Sequence, residues 1–164
     1  MTKETGMDYS DFQTALREGD VVRLGVALKE YPEWVNEQDS RGFTPLIMAA
    51  YYEHAPVVEF LLEFGANADA TDASGNTALM GACFKGFDGM VELLVRKGAD
   101  VNAQNLNGAT PLIYACTFNR PNIAAFLLQK GADKSIRDIS GLTAVDHAKN
   151  QGLQWAGNLM ACGR

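Results

Sequence analysis

Two histidines and three cysteines are the residues of this 164-residue chain best suited to nucleophilic, acid–base or metal chemistry. His54 and His147 lie far apart, and neither has a Cys or Ser partner at a spacing that suggests a triad or an activated thiol. No Cys-x-x-Cys pair is present for a zinc site, and no Gly-rich phosphate loop ends in Lys-Ser or Lys-Thr. Asp100-x-Asn102-x-Gln104 starts like a calcium loop. Its sixth place is Asn105 rather than Gly, and its twelfth is Pro111 rather than Glu. No cofactor, metal or catalytic residue is therefore expected. An unrecognised enzymatic or metal site using His54, His147 or Cys162 is the alternative from another class.

The cysteines point elsewhere. Cys83 and Cys116 are separated by 33 residues, and so are the stretches that contain them. Gly108-Ala109-Thr110-Pro111-Leu112-Ile113-Tyr114-Ala115-Cys116 repeats Gly75-Asn76-Thr77-Ala78-Leu79-Met80-Gly81-Ala82-Cys83. That in turn repeats Gly42-Phe43-Thr44-Pro45-Leu46-Ile47-Met48-Ala49-Ala50, and a weaker copy begins at Gly141. Glycines at 42, 75, 108 and 141 keep one interval without insertion. A fixed period of this length signals stacked supersecondary units. Equivalent helices in such a stack lie about 8–10 Å apart, farther than the roughly 7 Å between Cα atoms that a disulfide allows. Cys83 and Cys116 are thus expected as reduced, buried packing residues, like Ala50 in the same slot.

The elements that carry these residues follow from local chemistry. Asp39-Ser40-Arg41-Gly42 is a turn, Thr44 suits an N-cap, and Pro45 suits the first helical position. Helices are expected from there to about Tyr52 and from about Pro56 to Phe64, with Gly65 as a left-handed cap. The next copies predict helices near 78–85, 88–97, 111–118 and 121–130. In the last copy Thr143-Ala144 opens one helix and Leu153 to about Met160 forms another. The N-terminal unit lacks the signature but keeps two apolar stripes, on Phe12, Ala15 and Leu16 and then on Leu24 and Leu28, ended by Pro32. The chain is therefore divided into a disordered leader (1–7), an N-terminal capping repeat (8–38), three full repeats (39–71, 72–104 and 105–137) and a C-terminal capping repeat (138–164). Terminal units need polar outer faces because nothing stacks beyond them.

Composition bounds the function. No segment approaches the roughly 18 uninterrupted apolar residues of a membrane span, and the polar N-terminus has no signal-peptide core. A cytoplasmic protein is expected, unless a signal was removed. The net charge of −6 is uneven: residues 1–82 hold 14 acids and 5 bases, residues 83–164 hold 6 and 9. This weighs against nucleic-acid binding, which wants a basic face. It suits a protein partner with a basic patch facing the acidic N-terminal repeats.

With Gly-x-Thr-Pro-Leu at its head and Leu-Leu-x-x-Gly-Ala-Asp at its tail, as in Leu127-Leu128-Gln129-Lys130-Gly131-Ala132-Asp133, the unit resembles the ankyrin repeat over residues 8–162. One departure is consistent. The family's His after Thr-Pro-Leu is replaced by Ile47, Met80, Ile113 and Asp146, so apolar burial is expected in place of its polar link. The resemblance implies an all-α solenoid of helix-turn-helix units joined by β-hairpin-like turns. It gives His54 a structural place between helices. It also implies non-enzymatic binding of a protein, which is masked or held, through the concave helix face and the hairpin tips. An inhibitor or immunity protein of a bacterial toxin or hydrolase is the sharper alternative. Carried over by position, the partner-facing residues are Arg41, Phe43, Met48, Tyr51, Tyr52, Asn76, Phe84, Lys85, Leu106, Asn107, Tyr114, Phe118, Ile139 and Leu142. Aromatic anchors ringed by polar groups are what protein interfaces use. A monomer is expected, with the apolar tips leaving a homo-oligomer as the alternative.

Overall fold

The computed structural model describes residues 6–162. Residues 1–5 of the expected leader, residues 163–164 and the side chain of Cys162 lie outside the described residues; Met7 is half-buried against the core. Among the described residues ten α-helices pair in sequence: α1 (Tyr9–Glu18) with α2 (Val21–Glu30), α3 (Pro45–Tyr51) with α4 (Ala55–Phe64), α5 (Ala78–Lys85) with α6 (Asp88–Arg96), α7 (Pro111–Thr117) with α8 (Pro121–Gln129), and α9 (Ala144–Asn150) with α10 (Gln154–Cys162). The odd-numbered helices pack side by side as an inner row, and the even-numbered helices form an outer row. Among the described residues no strand is formed. The architecture is an all-α solenoid.

Each inner helix after the first starts by the same chemistry. The hydroxyls of Thr44, Thr77, Thr110 and Thr143 accept the backbone N–H three residues on, at 3.2, 3.3, 3.2 and 3.3 Å. All four threonines are buried. A buried cap of this kind satisfies a donor that would otherwise be orphaned at the helix start. Where the family's His is missing, Met80 and Ile113 are buried and Ile47 half-buried. The fourth copy differs, because Asp146 closes a capping box with Thr143 and lies 3.6 Å from Arg137.

The turns before these helices form four projecting fingers. In each, one side-chain oxygen of Asp39, Asp72, Asn105 or Asp138 accepts two backbone N–H groups, two and four residues on. Consecutive fingers join through Leu106 N–H to Ser74 O at 3.1 Å and Ile139 N–H to Asn107 O at 2.9 Å. Gly75 sits at φ +78° with the next finger's Leu106 nitrogen 2.8 Å from where a Cβ would stand. Any side chain there is both strained and in collision with backbone. At the opposite edge, Asn36, Asp69 and Asn102 each accept the N–H of the residue 31 positions on, at 2.8, 2.8 and 2.7 Å.

The core runs the length of the stack. Phe12, Leu16, Leu24, Leu28, Leu46, Leu61, Leu79, Leu94, Leu112, Ile123 and Leu127 are fully buried, and Ala50, Cys83 and Cys116 fill one shared slot. Both of these cysteines are free thiols. The N-terminal end departs from expectation. Pro32, expected only to stop α2, also opens a 3-10 helix, Pro32–Asn36, since a proline at a first helical position loses no hydrogen bond. This places Trp34 against Tyr31 at 4.2 Å, Tyr9 at 5.2 Å and Phe12 at 5.4 Å between ring centres, closing the end with aromatic surface.

The fingers differ in what a methyl group would meet. Gly75→Ala should destabilise the protein by more than about 2 kcal/mol, because a backbone collision adds to the left-handed strain. Gly141, at φ +77° with nothing within 4 Å, should lose only about 1 kcal/mol on change to Ala. Urea unfolding of the two variants measures the difference; equal losses would mean the fingers yield to each other.

Candidate protein-interaction groove

The fingers and the inner helix row enclose a groove, and its shape comes from one repeated slot. That slot holds Met48 on α3, Gly81 on α5, Tyr114 on α7 and His147 on α9. Without a side chain at Gly81, a cavity of about 360 Å3 opens over α5. Phe43, Ile47, Tyr51, Met80, Phe84, Tyr114 and Phe118 give it an apolar wall, and Asp72, Asn76 and Thr77 reach it from the second finger. Phe84 meets Phe118 edge-on at 4.6 Å, and Phe118 stacks on Tyr114 at 5.8 Å.

A neutral polar network braces the wall. Asn76 Oδ1 accepts from Asn105 Nδ2 at 2.8 Å and from the Tyr114 hydroxyl at 3.0 Å; Asn105 Nδ2 also lies 3.3 Å from that hydroxyl. Burial raises the Tyr114 pKa above its ordinary value, against the opposing hydrogen bond from Asn105, so the hydroxyl stays protonated and able to donate. Cations line the rim. The Lys85 ammonium sits 4.6 Å above the Tyr51 ring, and the Arg41 guanidinium 4.7 Å above Phe43.

A second depression of about 420 Å3 lies between the third and fourth fingers, reached by Asn107, Tyr114, Phe118, Ile139 and His147. Here His147 Nε2 is 2.6 Å from Asp138 Oδ2. Burial works to raise the Asp138 pKa, but the bonds from His147 and from the backbone of Leu142 and Ser140 prevail and hold it below the ordinary carboxylate value.

The residues expected to face a partner divide by position. Arg41, Tyr51, Tyr52, Phe84, Leu106, Asn107, Phe118 and Ile139 are exposed, with Leu106 and Ile139 both 74% accessible. Phe43, Asn76, Lys85, Tyr114 and Leu142 are half-buried. Met48 is a correction: it is 5% exposed and packs in the core, so it reaches the surface only at the floor of a small depression lined by Arg41, Phe43, Ile47, Tyr51 and Tyr52. Phe43, Tyr51, Asn76, Phe84, Tyr114 and Phe118 converge on the cavity over α5, while Lys85, Leu106 and Leu142 line neither depression. Sequence reasoning missed Gly81, Asp72 and Asn105. A glycine inside a helical pattern was the available signal for the first. For Asn105 it was an amide where the other fingers carry Asp.

The residues suited to chemistry serve structure. His54 Nε2 donates to the carbonyl of Arg17 at 2.8 Å, and its ring lies over Gly19. Asp100 Oδ1 accepts the N–H of Asn102, and Asn102 Oδ1 accepts that of Asp133, so both side chains brace the repeat edge. Burial pushes the Cys116 thiol up to about 12 and the Cys83 thiol higher still, so neither is a nucleophile at neutral pH. Among the described residues no three His, Cys, Asp or Glu side chains converge as a metal site.

Sequence comparison agrees with this architecture. A family model described as ankyrin repeats in three copies matches residues 14–105, and another, ankyrin repeats in many copies, matches residues 93–148. The chain belongs to the ankyrin-repeat family. Ankyrin repeats are protein–protein interaction modules, generally without catalytic activity. The human DNA-binding protein RFXANK is similar, at 37% identity over 37% of this ankyrin chain and 24% of its own length. The human NAD-capped RNA hydrolase NUDT12 is 36% identical over 35% of the chain and 13% of its own length. BTB/POZ domain-containing protein 3 of Schizosaccharomyces pombe is 34% identical over 36% of the chain and 11% of its length. The ankyrin chain thus spans a quarter or less of each relative. No helix among its described residues is long and apolar enough to cross a membrane.

The Asp138–His147 contact yields a pH expectation. A carboxylate whose folded pKa is depressed stabilises the fold above its unfolded value, near 3.8, and loses that contribution as pH falls through the lower folded value. Stability should therefore fall on acidification below about pH 4, and Asp138→Asn should flatten that dependence while lowering stability at neutral pH. Denaturant midpoints measured across the range check this; an unchanged slope would count the contact as inert.

Proposed function

We propose that this ankyrin-repeat protein acts by binding a protein partner in the groove between its fingers and inner helices, and that it masks or holds that partner rather than transforming it. The observation that carries this reading is the exposed ring set Tyr51, Phe84 and Phe118 around one apolar cavity with a braced polar wall, with the exposed Tyr52 beside it. Rings anchored in place lose little conformational entropy on binding and make effective hot spots. Repeats bounded at residues 39, 72, 105 and 138 form the binding body in this proposal, and the units at 8–38 and 138–164 close its ends. The apolar fingertips Leu106 and Ile139 extend the surface beyond the groove.

The partner's matching face is basic. Residues 1–82 carry a balance of −9, so a basic patch would meet the N-terminal repeats, and association would be steered electrostatically. RFXANK is named as DNA-binding, but the acidic balance of this chain favours a protein over nucleic acid. The chain works as a monomer in the cytoplasm, where its buried thiols stay reduced.

Tyr51→Ala combined with Phe84→Ala tests the face. Both rings are about half exposed, and their ring and cation contacts are with other exposed or half-buried side chains of the groove, so the double variant should keep its fold and lose at most about 1–2 kcal/mol of stability. It should also lose the partner that wild type captures from source lysate. Retention of that partner would move the binding face elsewhere. Raising salt from about 0.05 to 0.5 M should slow wild-type association at least tenfold; a salt-independent rate would remove the electrostatic part.

A further inference from the structure

Gly81 has no role inside the fold. A Cβ built there meets nothing within 4 Å, and its φ is not in the left-handed region. Glycine in a helix interior costs about 1 kcal/mol relative to alanine. The slot is filled by Met48, Tyr114 and His147 in the other copies. What the missing side chain leaves is a cavity large enough for one long side chain.

The cavity's charge is as specific as its shape. Asp72 is the only charged residue in its lining. In the equivalent finger positions, Asp39 lies 3.5 Å from Arg41, Asp138 lies 2.6 Å from His147, and Asn105 is neutral. Asp72 has no cationic partner among the described residues, and only its Oδ1 is engaged, by the N–H groups of Ser74 and Asn76. Of the lining rings, Tyr51 and Phe43 already carry the resident cations Lys85 and Arg41, so the wall open to a further cation is made by Phe84, Tyr114 and Phe118.

We infer that the notch over Gly81 receives an arginine side chain from an extended segment of the partner, with the guanidinium between the aromatic wall and Asp72. Arginine fits better than lysine because its planar group stacks on rings and presents parallel donors to a carboxylate. The acidic N-terminal half supplies the matching long-range field. This inference rests on the groove being the binding face.

Peptides separate the components. Acetyl-Gly-Gly-Arg-Gly-Gly-amide is titrated into the full chain at constant ionic strength, followed by backbone amide NMR shifts, beside versions carrying citrulline or lysine. The arginine peptide should give saturable shifts at Gly81, Phe84 and Tyr114. The neutral citrulline peptide should bind about tenfold or more weakly, and the lysine peptide more weakly than arginine. Asp72→Asn should lose about tenfold in affinity with its finger intact, since Asn105 makes the same turn. Gly81→Leu should abolish the shifts, and Gly81→Met serves as a second filling variant, with thermal melting as the check on folding. Equal binding of citrulline or lysine, wild-type binding by a folded filled variant, or no saturable shift with arginine would overturn the inference. If it fails while the Tyr51/Phe84 variant still loses the captured partner, the groove remains the binding face and only its arginine specificity is withdrawn.

Discussion

A single side-chain oxygen at the base of each finger, accepting two backbone N–H groups, is the contact on which the rest of this protein depends. Asp39, Asp72, Asn105 and Asp138 make it at intervals of 33 residues. It folds the chain back so that a buried threonine can cap the next inner helix. It also brings each finger against its neighbour closely enough that Gly75 faces backbone. Repeated at one interval, the same bond yields parallel fingers and a continuous groove. Stability then accumulates from neighbour to neighbour along the stack rather than from one central core.

Joints between units use whatever donor is at hand. His54 and Arg120 reach back to the carbonyls of Arg17 and Phe84, and Gln151 reaches that of Thr117. An imidazole, a guanidinium and an amide thus do one job, satisfying the open end of the preceding inner helix. The imidazole of His54 is thus consumed by a structural contact. The buried Cys83 and Cys116 show the same priority of packing over reactivity.

The groove arises where the copies stop being copies. Asn105 replaces a carboxylate by an amide, which lets it donate to Asn76 and Tyr114 and build a neutral wall. Gly81 removes a side chain and opens the cavity beside that wall. Neither change disturbs the finger or the helix that carries it. A repeated scaffold tolerates such departures because each unit's backbone is already held by its own turn and cap, so binding chemistry varies at little structural cost.

Sequence alone determined the solenoid, its helices to within a few residues, the caps, the buried cysteine slot and the exposed aromatic residues along the inner helices. All of these depend on contacts local in the chain or repeated at a fixed interval, so the period exposes them. Tertiary structure decided what the period averages away. Tyr114 reaches Asn76, 38 residues distant, and Trp34 packs on Tyr9 and Phe12 from an unforeseen 3-10 turn. Met48 is almost wholly buried in the core, although Tyr114 in the same slot is half-buried and lines the groove. Whether one slot is wall, floor or notch depends on neighbours in adjacent repeats, and only their packing reveals it.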